Sequence, residues 1–477
     1  MELLTTVTEY LKSAISVIYN FFWGDLITIP LPSGGTLGIS LLVLILVPSG
    51  LYFMIRTKFM PFRYLPEMFR ITAEKKSGDD KHSISGLQAL IISTATRVGM
   101  GNLVGVVAAI SAGGAGAVFW MWIIAVLSSA TAFVEATLAQ IHKVKDPLYG
   151  GYKGGPAYYI HNLFIKKDSK RKKSVMAVLF ALSGLLCWGG ISQVIGNSVT
   201  SSFETAFDIP PLYTTIALVI LATVIVLRKN ATVKVLDIIV PIMAVVYLLI
   251  TIIIIIINIK DVPAVFARIF EEAFGIRQAV AGGIGAVIMN GAKRGLFSNE
   301  AGSGSAPCAA AAADVDHPAK AGILQTFGVF IDTLVICTCT AMIILLTPAS
   351  LSGELEGMPL LQAAMEYHLG TFGGIFIAVI VWLFSFSTFL GVLFYARSNV
   401  SYVFGDNWAS QTVYKIFALI MLFIGGIASY SFVWDLGDIG IALMTVINMI
   451  ALFPMSKQAI KSLNDYKAVK ASKKSDD

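Results

Sequence analysis

Long apolar runs separated by short polar segments dominate the chain. A helix that crosses the hydrocarbon core of a bilayer needs about 20 consecutive, mostly apolar residues. The pattern predicts eleven such helices, at residues 37–55, 85–112, 117–141, 175–200, 212–228, 233–258, 278–312, 321–347, 371–396, 411–427 and 432–453. The expected fold class is therefore an all-α, polytopic membrane protein.

Two of these helices are longer than a span requires and carry polar residues in their middle. In STATRVGMGNLVGVVAAISAGG (residues 93–114), Gly99, Gly101 and Asn102 interrupt the apolar run. A broken helix frees backbone N–H and C=O groups, which are tolerated only where they line a cavity or bind something. We expect a break at a binding site. Close helix packing through Gly101 and Gly105 is the alternative, because small residues four apart also serve that purpose.

The second interrupted helix runs through MNGAKRGLFSNEAGSGS from residue 289. Met289, Asn290 and Gly291 are candidate binding residues, since they are expected near the middle of the membrane. Arg294 and Glu300 are ionisable groups in a predicted span, which usually mark a pathway or a gate. Pairing of these two residues, only to hold the bend, is an equally open interpretation.

The order of the helices predicts an internal repeat. Ten helices follow the first one, and each group of five begins with an interrupted helix, so the halves run in opposite directions. Interrupted helices at matching places in two halves indicate the substrate site of a secondary transporter. We expect one extra N-terminal helix and a 5+5 inverted repeat. The resulting segments are an N-terminal interfacial segment, the extra helix with a basic cytoplasmic loop, two repeats and a basic cytoplasmic tail, at residues 1–36, 37–84, 85–258, 278–453 and 454–477.

Composition and charge agree with a membrane protein and predict its orientation. Only 13% of the residues are charged and 56% are hydrophobic, whereas soluble domains have about 25% charged residues. With the N-terminus outside, cytoplasmic segments hold 28 of the 35 Lys and Arg residues. Positive charge is enriched in cytoplasmic loops, so we expect a multi-pass protein of the plasma (inner) cell membrane with a cytoplasmic C-terminus. Because the charge lies between spans, no nucleic-acid partner is expected.

The first break offers two kinds of binding group. The N-terminus of its second half-helix presents free N–H donors and the positive end of a dipole, which suit a carboxylate. The carbonyl groups that end its first half-helix suit a cation such as Na⁺. An amino acid carried with sodium requires both. The predicted spans contain no nucleophile–base pair and no set of metal-ligand residues typical of an enzyme.

The stretch GLFSNEAGSGSAPCAAAAADVDHPAKAG, from Gly295 to Gly322, strongly resembles the signature of the alanine/glycine:cation symporter family. Similar family blocks occur in the same order at residues 96–122, 150–160 and 328–345, and the resemblance covers residues 37–453. It implies the leucine-transporter-type fold. It also implies symport of sodium with a small or neutral amino acid, such as alanine, glycine or the larger glutamine, by alternating access. No cofactor is expected besides Na⁺ as coupling ion, and a monomer in the lipid bilayer is the expected functional unit.

The resemblance also implies ligands in this sequence. Backbone N–H groups near Gly101 and the side chain of Asn102 are expected to hold the substrate carboxylate. Sodium is expected to bind the residues that match the family's cation site, namely Ala95, Val98, Phe384, Ser387 and Thr388.

Two departures from the family pattern put alanine or glycine specificity in doubt. Val392 stands where members often have tryptophan. If that tryptophan closes a small pocket in the family, the smaller valine makes the pocket of this protein roomier. Ile195 stands where members often have glutamine, and Gln193 lies two residues earlier. Gln193 and Asn197 are nevertheless retained as candidate substrate ligands.

Three alternatives remain. A proton-coupled symporter would use Asp332, Glu135 or Asp237 as proton carrier, and its uptake would follow pH rather than sodium. An ion or solute channel would conduct much faster than a carrier and would show no saturable counterflow. An intramembrane enzyme is the third, although the spans lack a catalytic set.

Overall fold

Helices account for nearly all regular structure in the chain. The computed structural model describes residues 13, 15–30, 36–76, 78, 83–165, 172–228, 231–276, 283–348, 355, 357–428 and 430–475. Earlier helices are α1 Leu41–Arg56, α2 Met60–Arg63, α3 Leu65–Thr72, α4 Gly86–Arg97, α5 Met100–Gly113, α6 Gly116–Ile141, α7 Pro156–Phe164, α8 Val175–Phe207, α9 Pro211–Val226, α10 Ala231–Ile257 and α11 Val262–Ala273. Later ones are α12 Gly283–Asn299, α13 Ala306–Ala312, α14 Pro318–Val329, α15 Cys337–Leu345, α16 Met358–Leu369, α17 Thr371–Phe404, α18 Trp408–Ile427 and α19 Tyr430–Ser475.

The described residues also contain a π-helical turn and two short hairpins. A π-helical turn, Phe330–Ile336, joins α14 to α15 without interruption. Two antiparallel hairpins pair β1 Ile27–Pro30 with β2 Thr36–Ile39, and β3 Val144–Lys145 with β4 Tyr152–Lys153.

The predicted number of transmembrane helices is not confirmed. Within the described residues, seven helices are long and apolar enough to cross a membrane, or eight if the bent pair α4 and α5 is one span. Helices α1 and α9 are apolar but have only 16 residues each. At 1.5 Å per residue they measure about 24 Å, which is less than the hydrocarbon core. The long run predicted at 278–312 is divided between α12 and α13.

The described residues near both ends of the chain are helical, and the N-terminal ones pack on α19. The predicted interfacial segment lies partly outside the described residues, but residues 15–23 are helical. Trp23 is buried there and its indole N–H donates to the Asp438 carbonyl of α19, at 3.1 Å. Helix α19 continues through the predicted boundary at residue 454 as a single helix of 46 residues.

Helix α8 is the centre of one side of the bundle, and α6 is the centre of the other. Helix α8 packs against α17, α18 and α19, while α6 packs against α1, α12 and α14. Small residues allow these contacts. A Cβ atom at Gly425 of α18 would overlap the backbone of Gln193 in α8, so the two helices touch through their main chains.

Gly101 and Gly105 of the first broken helix do not share this packing role. A Cβ atom at Gly105 would meet no described atom within 4 Å, and one at Gly101 would lie 3.3 Å from the Phe297 ring. Close packing therefore does not account for the glycine at position 105.

This difference predicts a stability contrast. Gly425→Ala should lower the free energy of unfolding by about 1–3 kcal/mol, because the added methyl group forces α18 away from α8. Gly105→Ala is the matched control and should leave stability unchanged or slightly raised. Thermal unfolding of the detergent-purified variants measures both, and equal melting temperatures would contradict the packing described.

Candidate functional site

The first broken helix consists of α4 and α5, which are separated by two non-helical residues. Helix α4 begins with a capping box between Ser85 and Gln88 and ends at Arg97. Val98 and Gly99 then leave the helical conformation, with ψ angles of 78° and −140°, and the axes of the two helices differ by 41°. The predicted break at this position is therefore present in the structure.

The break leaves the Ala95 carbonyl group without its normal helical partner. In a continuous helix the N–H of Gly99 would donate to the Ala95 carbonyl. Here it donates to the Arg97 carbonyl instead, at 2.8 Å. The Ala95 oxygen is consequently available to groups from another helix.

Helix α17 brings two hydroxyl groups to that oxygen. The Thr388 Oγ1 donates to the Ala95 carbonyl at 3.1 Å, and the Ser387 Oγ lies 3.5 Å from it. Ser387 also donates to the Phe384 carbonyl of its own helix at 2.9 Å. Four of the five predicted sodium ligands thus form one buried group of oxygen atoms, and Val98 lies beside it at the break.

Glycine is required next to these hydroxyl groups. A Cβ atom at Gly99 would overlap the Thr388 Oγ1, and a Cβ atom at Gly391 would overlap the Thr96 methyl group. The close approach of α17 to the break therefore depends on two residues without side chains.

Asn102, in the first turn of α5, is fully buried and bonded to the protein. Its Nδ2 donates to the Asp332 carbonyl in the π-helical turn at 3.0 Å. Its Oδ1 accepts from the Ser298 hydroxyl at 3.2 Å. A carboxylate-binding role for this side chain remains a prediction, and in this conformation it would require one of these bonds to be exchanged.

A small central cavity adjoins the break. Its volume, counted as the space open to the centre of a water molecule, is about 30 Å³. Its walls come from α4, α5, α8, α12, α17, α19 and the second break, through residues Thr96, Arg97, Gly101, Ile191, Val194, Ile195, Phe297, Glu300, Thr388, Gly437 and Ile441. The predicted Gly101 and Thr388 are in this wall, and the ionisable Arg97 and Glu300 join them.

The predicted substrate residues Gln193 and Val392 are not part of the described wall of this cavity. Ile195 faces it, whereas Gln193 is turned toward α18, where its Nε2 contacts the Met421 sulfur at 3.1 Å. Val392 is buried within α17 next to Gly391, outside the described cavity wall. At about 100° per residue, Gln193 and Ile195 point about 200° apart and so lie on nearly opposite faces of α8.

The predicted residues of α12 are distributed differently. Met289 is buried, and Gly291 packs against α6, where an added Cβ would lie 2.6 Å from the Trp120 Cβ. Asn290 lines a larger cavity, with about 500 Å³ for the centres of water molecules, together with Asn197 and Arg294. Asn197 donates there to the Ala428 carbonyl at 2.8 Å.

The second broken helix is interrupted between Asn299 and Ala306. Glu300, Gly302 and Gly304 adopt left-handed φ angles of 51°, 91° and 86°. Glu300 lines the central cavity, while Arg294 lines the larger one. The two residues therefore face different spaces in the described structure.

The sequence pattern indicates the break, but it does not indicate most residues of the cavity wall. Thr96, Phe297 and Ile441 carry no distinctive signal, because an apolar or hydroxyl residue in a span resembles ordinary core. Arg97 and Glu300 did carry one, since an ionisable group inside a membrane is a functional candidate by default.

Comparison with known proteins identifies the family. The sequence model of the sodium:alanine symporter family matches residues 31–477. The chain is 42% identical over 430 residues to the probable sodium/glutamine symporter GlnT of Bacillus subtilis, covering 89% of this chain and 87% of GlnT. It is also 42% identical to the amino-acid carrier protein AlsT of the same organism, over 88% of each chain.

A solved structure supports the fold independently. The crystal structure of MhsT in complex with L-phenylalanine matches with a TM-score of 0.56 at 14% identity, over 80% of this chain and 89% of MhsT. At this identity the likeness concerns the fold alone, and it confirms the leucine-transporter-type architecture. Together with the apolar helices and the family match, it shows that the chain is an integral membrane transporter and that it belongs to the sodium:alanine symporter family.

Proposed function

We propose that this protein carries a small or neutral amino acid together with Na⁺ by alternating access. The observation that supports this most directly is the Ala95 carbonyl, which the break releases from its helix and which Thr388 and Ser387 approach from α17. A carbonyl and two hydroxyl groups are hard oxygen ligands of the kind that sodium sites in broken-helix transporters use. They form the proposed sodium site, with Val98 and Phe384 as further carbonyl ligands.

The same break supplies the proposed carboxylate site. Helix α5 begins immediately after Gly99, so its first N–H groups and its positive dipole end are directed toward the break. Gly101 lines the central cavity at this end of α5. Sodium that fixes the end of α4 would also fix the start of α5. Cation and substrate should therefore strengthen each other's binding, typically by about 1–3 kcal/mol.

The apolar wall of the cavity favours a neutral side chain. Ile191, Val194, Ile195 and Ile441 supply most of that wall. The relatives at 42% identity include a probable glutamine symporter, which supports a substrate larger than glycine. The present cavity holds about two water molecules, so binding of an amino acid requires the bundle to open.

The charge distribution supports an orientation in the cell membrane with the N-terminus outside. In that orientation the larger cavity, near the end of α5 and the start of α12, lies on the outer side. We also propose a monomer as the functional unit.

Proton coupling is the second candidate, and one observation favours it. The Oδ2 atom of Asp332 is buried and has no hydrogen-bond partner among the described residues. A buried carboxylate of this kind is suited to carry a proton, as intramembrane acids do in pumps and transporters.

Uptake by proteoliposomes distinguishes the two candidates. A panel of labelled amino acids is offered under an inward sodium gradient, under an inward proton gradient, and with potassium as control. Sodium-dependent accumulation of one neutral amino acid is the expected result. Accumulation driven by protons alone would replace the sodium proposal, and no accumulation of any amino acid would refute amino-acid symport.

The hydroxyl pair gives a direct test of the sodium site. Ser387→Ala combined with Thr388→Ala should raise the half-saturating sodium concentration at least about tenfold, because each lost ligand bond to an ion is worth about 1.5–3 kcal/mol. Sodium-dependent uptake measures the change.

The control for this test is Ser192→Ala with Thr200→Ala. These hydroxyl groups of α8 are equally buried but donate to their own helix, at 2.7 and 3.1 Å. If both double variants keep the wild-type sodium requirement, the cation binds elsewhere.

Asn102→Ala tests the carboxylate site. Loss of an amide near the substrate carboxylate should weaken substrate affinity about tenfold or more, as measured by concentration-dependent uptake. Asn399→Ala removes an equally buried amide, which donates to the Ala181 carbonyl away from the break. Wild-type kinetics in Asn102→Ala would refute the assignment.

A further inference from the structure

Asp332 contacts both sides of the first break. Its backbone carbonyl accepts the Nδ2–H of Asn102, in the first turn of α5, at 3.0 Å. Its carboxylate Oδ2 lies 3.9 Å from the Nε of Arg97, the last residue of α4, and both side chains are fully buried. A single residue of a neighbouring helix thus engages the end of one half-helix and the start of the next.

The π-helical turn explains why Asp332 can do this. Its carbonyl already accepts the N–H of Cys337, five residues on, and the wider turn gives the oxygen room for Asn102 as a second donor. π-helical turns occur frequently at functional sites. The Oδ1 of Asp332 accepts the Thr333 hydroxyl, which fixes the carboxylate and directs Oδ2 toward Arg97.

The Arg97–Asp332 pair is not fully engaged. A separation of 3.9 Å is an ion pair but exceeds a hydrogen bond, which requires about 2.7–3.2 Å. Among the described residues, the Nε and Nη2 of Arg97 and the Oδ2 of Asp332 have no hydrogen-bond partner. A shift of about 1 Å at the end of α4 would close this gap, so the pair can tighten when the break changes shape.

The second break is held in a corresponding way. Glu135 of α6 accepts the Gly302 N–H at 3.2 Å through Oε1. Its Oε2 accepts the Asn448 side chain at 3.1 Å, and Asn448 also donates to the Gly302 carbonyl at 2.9 Å. Each break is therefore contacted by a buried carboxylate from a helix that follows the other broken helix.

We infer that Asp332 is a positioning residue that sets the geometry of the first break, and that Glu135 is its counterpart at the second. The inference rests on the proposed sodium site and specifies how that site is held. Asp332 contacts Arg97 at the end of α4 and Asn102 at the start of α5. It thereby sets the position of the Ala95 carbonyl relative to the first N–H groups of α5. Sodium affinity should depend on a residue that does not itself touch the ion.

Asp332→Asn tests this inference, because it keeps the backbone carbonyl and the side-chain size but removes the charge that faces Arg97. The readout is the half-saturating sodium concentration for thermal stabilisation of the purified protein, with potassium as reference. We expect a rise of about tenfold, within the 5–150-fold range of coupling between linked sites. Maximal uptake per folded protein should change less than the sodium requirement does.

Glu272→Gln is the matched control. Glu272 is a buried carboxylate that accepts the Ala115 N–H at 2.6 Å and pairs with Arg268 at 2.7 Å, away from both breaks. This variant should lower the melting temperature without altering the sodium requirement. A lower melting temperature with an unchanged sodium requirement in Asp332→Asn as well would show a purely structural role and overturn the inference.

Arg97→Gln combined with Asp332→Asn removes both charges of this pair together, so neither partner is left buried without the other. If the two residues act through one contact, the double variant should require no more sodium than the worse single variant. If the fold increases in sodium requirement of the two single variants multiply in the double variant, the inference is overturned. If the wild-type protein shows no sodium response at all, the proposed function fails first, and the inference fails with it.

Discussion

A helix that is interrupted inside a membrane must find new partners for its backbone, and this constraint governs the centre of the molecule. At Val98 and Gly99 the Gly99 N–H turns to the Arg97 carbonyl, and the Ala95 oxygen loses its helical donor. Hydrocarbon cannot replace that donor. The hydroxyl groups of Ser387 and Thr388 approach the oxygen instead, which draws α17 against the break. The proposed cation site is thus the same set of contacts that makes the interruption tolerable.

The two breaks are supported from outside as well. Asp332 engages the first, and Glu135 with Asn448 engages the second. Buried carboxylates are costly unless other groups satisfy them. Glu135 accepts a backbone N–H and an amide N–H, while Asp332 accepts the Thr333 hydroxyl with one oxygen and directs the other toward the Arg97 guanidinium group. The small central cavity adjoins the first break, and the larger cavity lies beside α5 and α12.

The sequence predicts the first break well, because adjacent glycine and asparagine residues inside an apolar run disfavour a continuous helix in hydrocarbon. It also predicts the hydroxyl pair, since Ser387 and Thr388 lie together in a span that matches the family. It does not establish the number of spans, because the 16-residue helices α1 and α9 look like full spans in an apolar pattern, and the predicted eleven are not confirmed. Nor does it reveal that Ile195 faces the cavity or that Asp332 lies in a π-helical turn, since both depend on helix rotation and tertiary contacts.

Reciprocal binding tests the central claim that cation and substrate share one broken helix. Substrate affinity of the purified protein is measured across sodium concentrations, and sodium affinity across concentrations of the transported amino acid. We expect each ligand to raise the affinity of the other by the same factor, as linkage requires, of about 5–150-fold. Substrate binding that is equally tight in sodium and in potassium would contradict it.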